Sequence, residues 1–463
     1  MPSASDSTRY EEIMAAGSAR SGDLAARFAS ASRAARAAVP AAPGRESAIR
    51  DVAAGVAAPA LVAFVLWLLE EAQRRGLRRL RFLSRDGQVL YELARRLAAA
   101  LGAGPDLEYV YSSRLTWSLA TTDVSRLAET PWLLNSFIKS NAADVCARLG
   151  LPFEEFRPVM ADCGASLDPG VRADQPSQAH ALRRFAATPE VTRAAGRRIA
   201  MMRGLLLDYA AQHQLADAGT GLVDIGWTGR MAGSFIELCE TAGMSRPAVM
   251  FWGHEPRATG WTDPETVAAY MYNTATGDGL HWRVPNVPFI METFCMADHG
   301  IVSGYRHDPD GAVRPELQSP RNDPAEDWGL GLYRSEVYAF VAALDPGAGL
   351  PPGDVRPLVH QALEAFWCNP TPDEALAWGG YPYDSDPAGT AIRPLARPFT
   401  VTDHVRGDRA WLAGSLALSS SRARDRYLSC APEYELAGTP EMDLSLCRGW
   451  RNAITSRSAW RLL

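Results

Sequence analysis

The amino-acid sequence predicts an α/β protein with a parallel sheet, a helical block inserted between the two halves of that sheet, and a mainly helical C-terminal region. Three observations predict this class. Short apolar runs alternate with helical patterns in residues 46–122, the strand pattern is missing from residues 123–216, and it returns in residues 217–310. Strands that alternate with helices of this kind are typical of a parallel sheet with right-handed crossovers.

Residues 46–122 form the first half of the predicted core. Residues 61–75 predict a helix that ends at Gly76, and residues 80–83 predict a short buried strand. A second helix over residues 89–101 then leads to a second strand over residues 108–111. Each strand is followed by a polar turn, so this half supplies two strand ends to the sheet.

An apolar run near the N-terminus needs its own interpretation. Residues 52–69 form an uncharged run of 18, at the lower length limit of a membrane-spanning helix. Its first half is Ala, Gly and Pro59, which are weakly apolar. We predict a buried helix, with a membrane span as the alternative. Residues 1–45 lack the apolar core of an export signal and predict a loosely ordered arm.

The rest of the chain contains the inserted block, the second half of the core and the C-terminal region. Residues 123–216 predict a helical cap, with one long helix over residues 192–212. The second half of the core has strands over residues 221–226 and 248–253, separated by a helix. A turn at residues 308–311 then leads into residues 311–463, which predict a mainly helical region.

Composition narrows the class of protein. The chain has 463 residues, of which 47% are apolar and 22% are charged, as in an ordinary soluble globular protein. A net charge of −6 argues against a general nucleic-acid binder. Its seven cysteines include no CxxC pair, which argues against a zinc ribbon or redox motif and favours reduced thiols. We expect a cytoplasmic protein without a nucleic-acid partner.

The first polar turn is Ser84-Arg85-Asp86-Gly87-Gln88, directly after the first predicted strand. A carboxylate such as Asp86 at a strand end suits magnesium binding or acid/base chemistry, and Arg85 suits bidentate phosphate binding. Ser84 is a second candidate, either as a phosphoryl ligand or as a nucleophile, although no histidine follows it closely in the sequence. The alternative is that Asp86 only caps the next helix and pairs with Arg85.

A second polar turn, Asp224 to Arg230, follows the strand predicted over residues 221–226. Gly226 and Gly229 leave backbone N–H groups accessible to an anion, and the following helix start favours negative charge. Asp224 suits a divalent cation or a ligand hydroxyl. The alternative is a glycine-rich turn in which Asp224 caps the helix.

A third turn, Ser112-Ser113-Arg114, follows the other strand of the first half. Its hydroxyl groups and arginine suit phosphate recognition, although paired serines also serve as turn and cap residues. The predicted phosphate-binding residues are therefore Arg85, Gly87, Ser112, Ser113, Arg114, Gly226, Thr228, Gly229 and Arg230; the predicted catalytic residues are Asp86 and Ser84; and the predicted metal ligands are Asp86 and Asp224. Weaker candidates are His254, Glu255, Glu292, Asp298, His299 and Tyr305.

Four motifs together resemble a known family. The segments FLSRDGQVLYEL, YVYSSR, VDIGW-x-G and FIMETFCMADHGIVSGY resemble a predicted hydrolase-like family of the haloacid dehalogenase superfamily. The resemblance covers residues 57–305, about half of the chain. Members of that family are often encoded beside glycosyltransferases, or fused to them, in bacterial surface-polysaccharide clusters. The resemblance implies a Rossmannoid sheet with an inserted cap, magnesium-assisted phosphoryl transfer through an aspartyl-phosphate, and a glycosyltransferase as a possible partner.

The resemblance also assigns roles, with one departure. Asp86 falls on the general acid/base of the first superfamily motif, whereas Ser84 falls on the position of the nucleophilic aspartate. Ser112 or Ser113 falls on the hydroxyl motif, Asp224 on the acidic metal motif, and Arg198 or Arg203 is the nearest match to the basic motif. Without an aspartate at position 84, the aspartyl-phosphate can form only if Asp86 itself attacks, so Asp86 is either the nucleophile or the acid/base. A serine is not ionised at neutral pH and needs a base, so the implied fold is better supported than the implied reaction.

Three functions remain open at this point. The first is a Mg²⁺-dependent phosphatase or phosphotransferase that acts on a sugar phosphate or nucleotide sugar, in the surface-glycan biosynthesis that the resemblance implies. The second is a glycosyl- or glycerol-phosphate transferase that uses the same anion-binding turns. The third is a non-catalytic scaffold that kept the fold and binds a ligand or partner enzyme.

Overall fold

The core of the protein is one parallel sheet. The computed structural model describes residues 7–17, 23–102, 104–134, 140–256, 265–279, 287–351, 353–384, 392–399 and 410–425. Its five parallel strands are β1 (Arg79–Leu83), β2 (Asp106–Val110), β3 (Thr220–Trp227), β4 (Ala248–His254) and β5 (Val267–Asn273), in the order β2-β1-β3-β4-β5. A short strand, β6 (Asp278–Gly279), pairs antiparallel with β5. The predicted α/β class with a parallel sheet is confirmed.

Helices cover both faces of this sheet. Those before β1 are Arg9–Ala16, Asp23–Ala38, Arg45–Val52 and Ala58–Arg74, and Gly87–Leu101 connects β1 to β2. Between β2 and β3 lie Arg114–Thr121, Pro131–Leu134, Ala142–Leu149, Phe153–Asp162, Pro176–Ala186 and Pro189–Gln212, with a 3₁₀ turn at Val124–Glu129. Later helices are Arg230–Thr241, Val287–Phe294, Asp323–Trp328, Leu330–Leu344, Arg356–Cys368, Pro372–Gly379 and Leu412–Leu418, with a 3₁₀ turn at Pro346–Ala348.

The two faces belong to different hydrophobic clusters. Phe82, Ile225 and Trp252 pack on one face, together with the N-terminal helices and the helices that follow residue 323. Leu83 and Val110 pack on the other face, with the helices between β2 and β3. Because successive side chains of a strand point to opposite faces, adjacent residues such as Phe82 and Leu83 join different clusters.

The long apolar helix lies inside the protein. A π-helical turn, Ala53–Ala57, joins Arg45–Val52 to Ala58–Arg74, which gives a helix of 30 residues. Its most apolar 18-residue window has a mean hydropathy of 2.4, and 89% of that window is buried in the protein. Among the residues that the structure describes, it is the one helix long and apolar enough to cross a membrane. Its burial agrees with the prediction of a core helix.

The N-terminal segment differs from the loosely ordered arm predicted for residues 1–45. In its described part, the helices Arg9–Ala16 and Asp23–Ala38 pack into the core, and Tyr10 and Phe28 are almost completely buried. Tyr10 lies so close to the long helix that a Cβ at Gly55 would be 2.7 Å from the Tyr10 Cβ. The physical reason for the difference is that alanine-rich helices bury little area per residue yet approach their neighbours closely.

Two further regions can be compared with the predicted organisation. The helices of residues 123–216 form a layer against the sheet, in one cluster with Leu83, Val110 and Leu222. The predicted boundary at residue 310 falls inside a hairpin of β7 (Val302–His307) and β8 (Val313–Leu317), because residues 308–311 are the turn of that hairpin. After it, the described residues are mainly helical, apart from a pair of short strands, β9 (Pro382–Asp384) and β10 (Ile392–Pro394).

Candidate functional site

The three predicted turns lie along one edge of the sheet. The strands β2, β1 and β3 are neighbours and parallel, so the residues that follow them emerge at the same edge. The order of the strands changes direction between β1 and β3. The chain passes from β1 to β2 on one side, and then returns to place β3 on the other side of β1. Open α/β sheets bind ligands in the crevice at this switch point. Asp86 follows β1, whereas Asp224 lies inside β3. The predicted turn of residues 224–230 is wrong in its first half, because β3 continues to Trp227 by pairing with β4.

The carboxyl group of Asp86 is not held by local contacts. Asp86 directly precedes the helix Gly87–Leu101, but its side chain makes no capping hydrogen bond. Arg85 does not pair with it, since the Arg85 guanidinium lies 3.2 Å from the Asp384 carboxylate. Neither part of the alternative interpretation, a helix cap paired with Arg85, is therefore present. Among the described residues Asp86 has no hydrogen-bonding side-chain partner, and it is half-buried.

Asp86, Asp224 and Glu292 form an acidic cluster. Burial, together with the carboxylates of Glu292 and Asp224, raises the pKa of Asp86 well above its usual range. Burial also raises the pKa of Asp224 to about 6, although the Ile225 N–H donates to its Oδ1 over 2.8 Å. The pKa of Glu292 is raised as well, again mainly by burial. These mutual effects mean that the cluster takes up a proton or a cation readily.

Arg114 faces this cluster from its rim. It is the first residue of the helix Arg114–Thr121, its side chain is exposed, and its positive charge lowers the pKa values of Asp86, Asp224 and Glu292. No hydrogen bond or ion pair engages Arg114 within the described part of the chain. Its donors are therefore accessible to a ligand in the crevice, and its role in phosphate binding stays a prediction.

The three predicted serines are engaged elsewhere. The Ser84 hydroxyl donates to the Ser112 carbonyl over 2.6 Å and accepts from the Ser112 N–H over 2.7 Å. The Ser112 hydroxyl donates to the Ser84 carbonyl over 3.2 Å. Ser113 caps the next helix, because its hydroxyl donates to the Val302 carbonyl and accepts from the Thr116 N–H. All three are buried, so their hydroxyl groups join β1 to β2 and anchor a helix rather than face the crevice.

The predicted glycines have packing roles. A Cβ at Gly87 would lie 2.7 Å from the Phe82 carbonyl carbon, so glycine allows the helix to start directly against β1. Gly226 has a φ of +108°, and a Cβ there would be 2.2 Å from the Gly253 carbonyl oxygen of β4. Gly229 has a φ of +66° and precedes the helix Arg230–Thr241. These contacts explain the glycines without an anion.

The other predicted residues of that turn are Thr228, which is half-buried, and Arg230, which is exposed. Neither side chain is among the main causes of the pKa shifts of Asp86 and Asp224. Their predicted role in phosphate binding therefore gains no support from the electrostatics of the cluster.

Two residues that contact the site, Tyr383 and Asp384, were not predicted. Glu292, a weaker candidate from the sequence, accepts at its Oε2 a hydrogen bond of 2.9 Å from the Tyr383 hydroxyl. Tyr383 and Asp384 belong to β9, in the region to which the sequence assigned no role. Tyr381 lies close by, since its hydroxyl is near the Glu292 carbonyl. No local motif marks these residues, because they reach the sheet edge only through the folding of the C-terminal region.

A hydrogen-bond network supports the same edge. The Gln88 amide donates to Asp298 Oδ1 over 2.7 Å, and the Asp298 N–H donates back to Gln88 over 2.9 Å. Arg334 lies 3.0 Å from Asp298 and completes this network. His299 Nε2 lies 2.7 Å from the Tyr109 hydroxyl, and burial lowers the pKa of this histidine. The network holds the first turn of the helix Gly87–Leu101, and so positions Asp86.

The carboxyl groups of Asp86 and Asp224 suit a magnesium ion only together with other ligands. Carboxylate oxygens are appropriate for Mg²⁺, which is usually bound by one or two carboxylates together with water and substrate phosphate. Within the described residues, no three His, Cys, Asp or Glu side chains are arranged to hold a metal ion by themselves. Asp86 and Asp224 thus fit an ion that is bound together with a phosphorylated ligand, rather than an enclosed structural metal site.

No protein-family model matches the chain, and no curated protein matches it. The resemblance of its motifs to the haloacid dehalogenase superfamily therefore stays a prediction.

The five cysteines that the structure describes are free thiols, of which Cys295 is buried beside the acidic cluster.

Proposed function

We propose that the protein is a magnesium-dependent phosphoryl-transfer enzyme of the haloacid dehalogenase type, acting on a sugar phosphate or nucleotide sugar. The observation that carries this proposal is the arrangement of Asp86, Asp224 and Glu292 at the switch point of a parallel sheet, with Arg114 exposed beside them. A crevice that combines carboxylates with an accessible arginine suits a phosphate ester and its cation.

Asp86 is the acid/base residue in this proposal. Its pKa is raised by burial, Glu292 and Asp224, whereas the pKa of Asp224 is about 6. Different pKa values for neighbouring carboxyl groups favour different protonation states, and hence different roles. The protonated Asp86 donates its proton to the leaving oxygen as the phosphorus–oxygen bond breaks, while water or an acceptor hydroxyl forms the new bond to phosphorus and releases its proton to solvent.

The other residues bind and orient the substrate. Arg114 binds the phosphoryl oxygens, and the Asp224 carboxylate holds the cation, which when bound would stabilise negative charge on the phosphoryl group. Arg85 is held by Asp384 and contributes its charge to the same edge. The buried and doubly hydrogen-bonded Ser84 hydroxyl is a positioning group in this proposal, so no serine nucleophile takes part.

The test is phosphate release from a panel of sugar phosphates and nucleotide sugars, with and without Mg²⁺. We expect turnover that requires Mg²⁺ and that falls by about 10²–10⁴-fold in Asp86→Asn, the range for a lost acid/base group. Asp323→Asn, which changes an exposed aspartate elsewhere, is the matched control and should keep full activity. Undiminished turnover in Asp86→Asn would remove this residue from the mechanism.

Two other outcomes would point to the remaining functions. Transfer of a sugar or glycerol phosphate from a nucleotide donor to an acceptor, without free phosphate, would indicate a transferase. Absence of any binding of Mg²⁺ or phosphate ester, measured by calorimetry on the full chain, would indicate a scaffold and overturn the proposal.

A further inference from the structure

Tyr111 lies at the end of β2, on the same edge of the sheet as the acidic cluster. It follows β2 directly, it precedes Arg114 by three positions, and its side chain is half-buried. Its backbone is fixed on both sides. The Tyr111 N–H donates to the Tyr209 hydroxyl over 3.0 Å, and the Tyr111 carbonyl accepts from the Tyr305 hydroxyl over 2.8 Å. The backbone thus holds this aromatic residue at a set position on the edge.

Two other rings support the Tyr111 ring. Tyr109 meets it edge-on, with the ring centroids 5.2 Å apart, and the His299 ring also lies 5.2 Å away. The Tyr109 hydroxyl lies 2.7 Å from His299 Nε2, and His299 Nδ1 lies 2.7 Å from the Gly300 carbonyl oxygen. A carbonyl can only accept, so Nδ1 carries the proton and Nε2 accepts from Tyr109. The polar atoms of both supporting side chains are therefore already engaged.

Asp298 supplies a charged acceptor beside this ring. It precedes His299 in the chain, and 45% of its side chain is exposed, so a ligand can reach it. Against the effect of burial, hydrogen bonds from Gln88 and Arg334 lower its pKa, and the carboxyl group is ionised at neutral pH. Gln88 donates to Oδ1 and Arg334 to Oδ2, which fixes the orientation of the carboxylate. Each oxygen keeps a second lone pair for a hydroxyl donor.

The Tyr111 hydroxyl is the second polar group of this surface. Burial and the charge of Asp298 raise its pKa, so it stays protonated and can both donate and accept. Within the described part of the chain, no hydrogen bond engages it. An aromatic face beside an ionised carboxylate matches a sugar ring, because such a ring has an apolar C–H face and several O–H donors. A nucleobase shares the flat face but lacks such a set of hydroxyl donors.

This surface is continuous with the proposed phosphate site. Burial raises the pKa of Tyr109, and so do Tyr111 and Asp86 through their charges, which places the supporting ring close to the acidic cluster. Arg114 follows Tyr111 by three residues, so their Cα atoms are at most roughly 11 Å apart. A separation of that size suits a ligand whose phosphate is bonded directly to its ring.

We propose that Tyr111 and Asp298 bind the sugar ring of the substrate, while Arg114 binds its phosphate. This inference rests on the proposed function, because it assigns a second part of the same crevice. The C–H face of the ring packs on Tyr111, and the ring hydroxyl groups donate to Asp298. The ligand chemistry is a polyhydroxylated ring, supplied either by the hexose of a sugar phosphate or by the ribose of a nucleotide.

The test is titration calorimetry with Mg²⁺ on the full chain carrying Asp86→Asn, which slows turnover of the ligands. Glucose 1-phosphate and ethyl phosphate share the phosphate ester but not the ring. We expect glucose 1-phosphate to bind more tightly, and the further change Tyr111→Leu to reduce that advantage by about tenfold. Uridine monophosphate is the third probe and shows whether a ribose, rather than a hexose, has the advantage that depends on Tyr111.

The matched control is Trp67→Leu, which also removes a half-buried aromatic ring. Trp67 packs on Tyr270 of β5, at the opposite end of the parallel strands from β2, and its loss should leave the ligand preference unchanged. Equal binding of all three probes would overturn the sugar subsite and leave the phosphate site standing. Absence of binding by every probe would overturn both the subsite and the proposed function.

A structural measurement makes the result independent of the folding of Tyr111→Leu. Crystals of the Asp86→Asn protein soaked with glucose 1-phosphate should show ring carbon atoms within about 4.5 Å of the Tyr111 ring. A phosphate bound at Arg114 with its sugar ring directed away from Tyr111 and Asp298 would contradict the proposal.

Discussion

Arg85 pairs with Asp384, whose carboxylate lies 3.2 Å from the guanidinium although the two residues are 299 positions apart in the chain. The Arg85 charge already lowers the pKa of Asp86, although burial, Glu292 and Asp224 raise it. The Asp384 carboxylate offsets part of the Arg85 charge, and an unpaired Arg85 would lower the pKa of Asp86 further. Through Asp384, the C-terminal region therefore helps to keep the carboxyl group of Asp86 protonated.

Asp384→Asn should lower the pKa of Asp86, because the released Arg85 can then approach the Asp86 carboxylate. For a residue that acts as a general acid, activity is lost as pH rises through its pKa. We therefore expect the basic limb of the pH profile of kcat/KM to move to lower pH in this variant. An unchanged basic limb would contradict the role of Arg85 and Asp384 in setting this pKa.

Magnesium affinity should depend on the protonation of Asp224. The pKa of this residue is raised to about 6, and a carboxylate must be deprotonated to bind a cation. Affinity should thus be constant above pH 7 and weaken as pH falls through about 6. Calorimetry at several pH values measures this, and Asp224→Asn should bind the ion weakly at every pH.

Ser84→Ala should destabilise the protein and leave its chemistry largely intact. The Ser112 N–H donates to Ser84 Oγ and would lose its partner in a buried position. Leaving such a group unsatisfied costs about 1–3 kcal/mol. Urea unfolding measures that loss, whereas turnover per folded molecule should stay within about tenfold of the wild type. A loss on the scale of the Asp86→Asn variant would instead make Ser84 a nucleophile.

Arg114→Met should weaken substrate binding more than it slows the reaction step. Arg114 is exposed at the rim of the cluster and has no partner within the described residues. Loss of a charge-assisted contact to phosphate costs about 1.5–3 kcal/mol, which corresponds to a rise in KM of roughly 10–100-fold. Arg157→Met, an exposed arginine of the helical layer paired with Glu154, is the control and should not change KM.

Glu336→Gln should stabilise the protein in alkaline solution. Glu336 is fully buried, neither of its carboxyl oxygens has a hydrogen-bond partner within the described residues, and burial raises its pKa to about 8. The unfolded chain releases this proton at lower pH than the folded protein, so the wild type loses stability as pH rises from about 4.5 to 8. The glutamine variant lacks that loss.

Thermal or urea unfolding at two pH values tests this prediction. The stability difference between Glu336→Gln and the wild type should grow from pH 5 to pH 8 by on the order of 3 kcal/mol. Glu326→Gln, which alters an exposed glutamate of the preceding helix, should show no such growth. A difference that is constant with pH would mean that Glu336 keeps an ordinary pKa.

The fold could be predicted from local patterns only where those patterns are strong. Strands β1 to β4 are short apolar runs separated by helices or by the helical block, and each was recognised. The strand β5, Val267–Asn273, was missed, because no helical pattern separates it from β4 to mark a crossover. The sequence predicts a loose arm there because the longer of the two N-terminal helices, Asp23–Ala38, buries mostly small residues such as Ala25 and Ala35.

The candidate site, like the fold, could be predicted only where local sequence patterns mark its residues. Asp86 and Arg114 follow β1 and β2, and Asp224 lies in the neighbouring strand β3, so the alternation of strands and helices in the sequence was enough to bring them together. The orientation of Ser84 and Ser112 was not predictable, because it depends on which carbonyl of the adjacent strand each hydroxyl meets. Glu292, Tyr383 and Asp384 depend on contacts between distant segments, which no local pattern records.

The contribution of β9 to this crevice also bears on biosynthesis. As the ribosome extends the chain, the sheet and its acidic side chains emerge long before Tyr383 and Asp384. A nascent chain that has not reached residue 384 lacks the hydroxyl that binds Glu292 and the carboxylate that holds Arg85. The mature arrangement is therefore assembled late, and a product truncated after β8 would contain every predicted turn without the complete crevice.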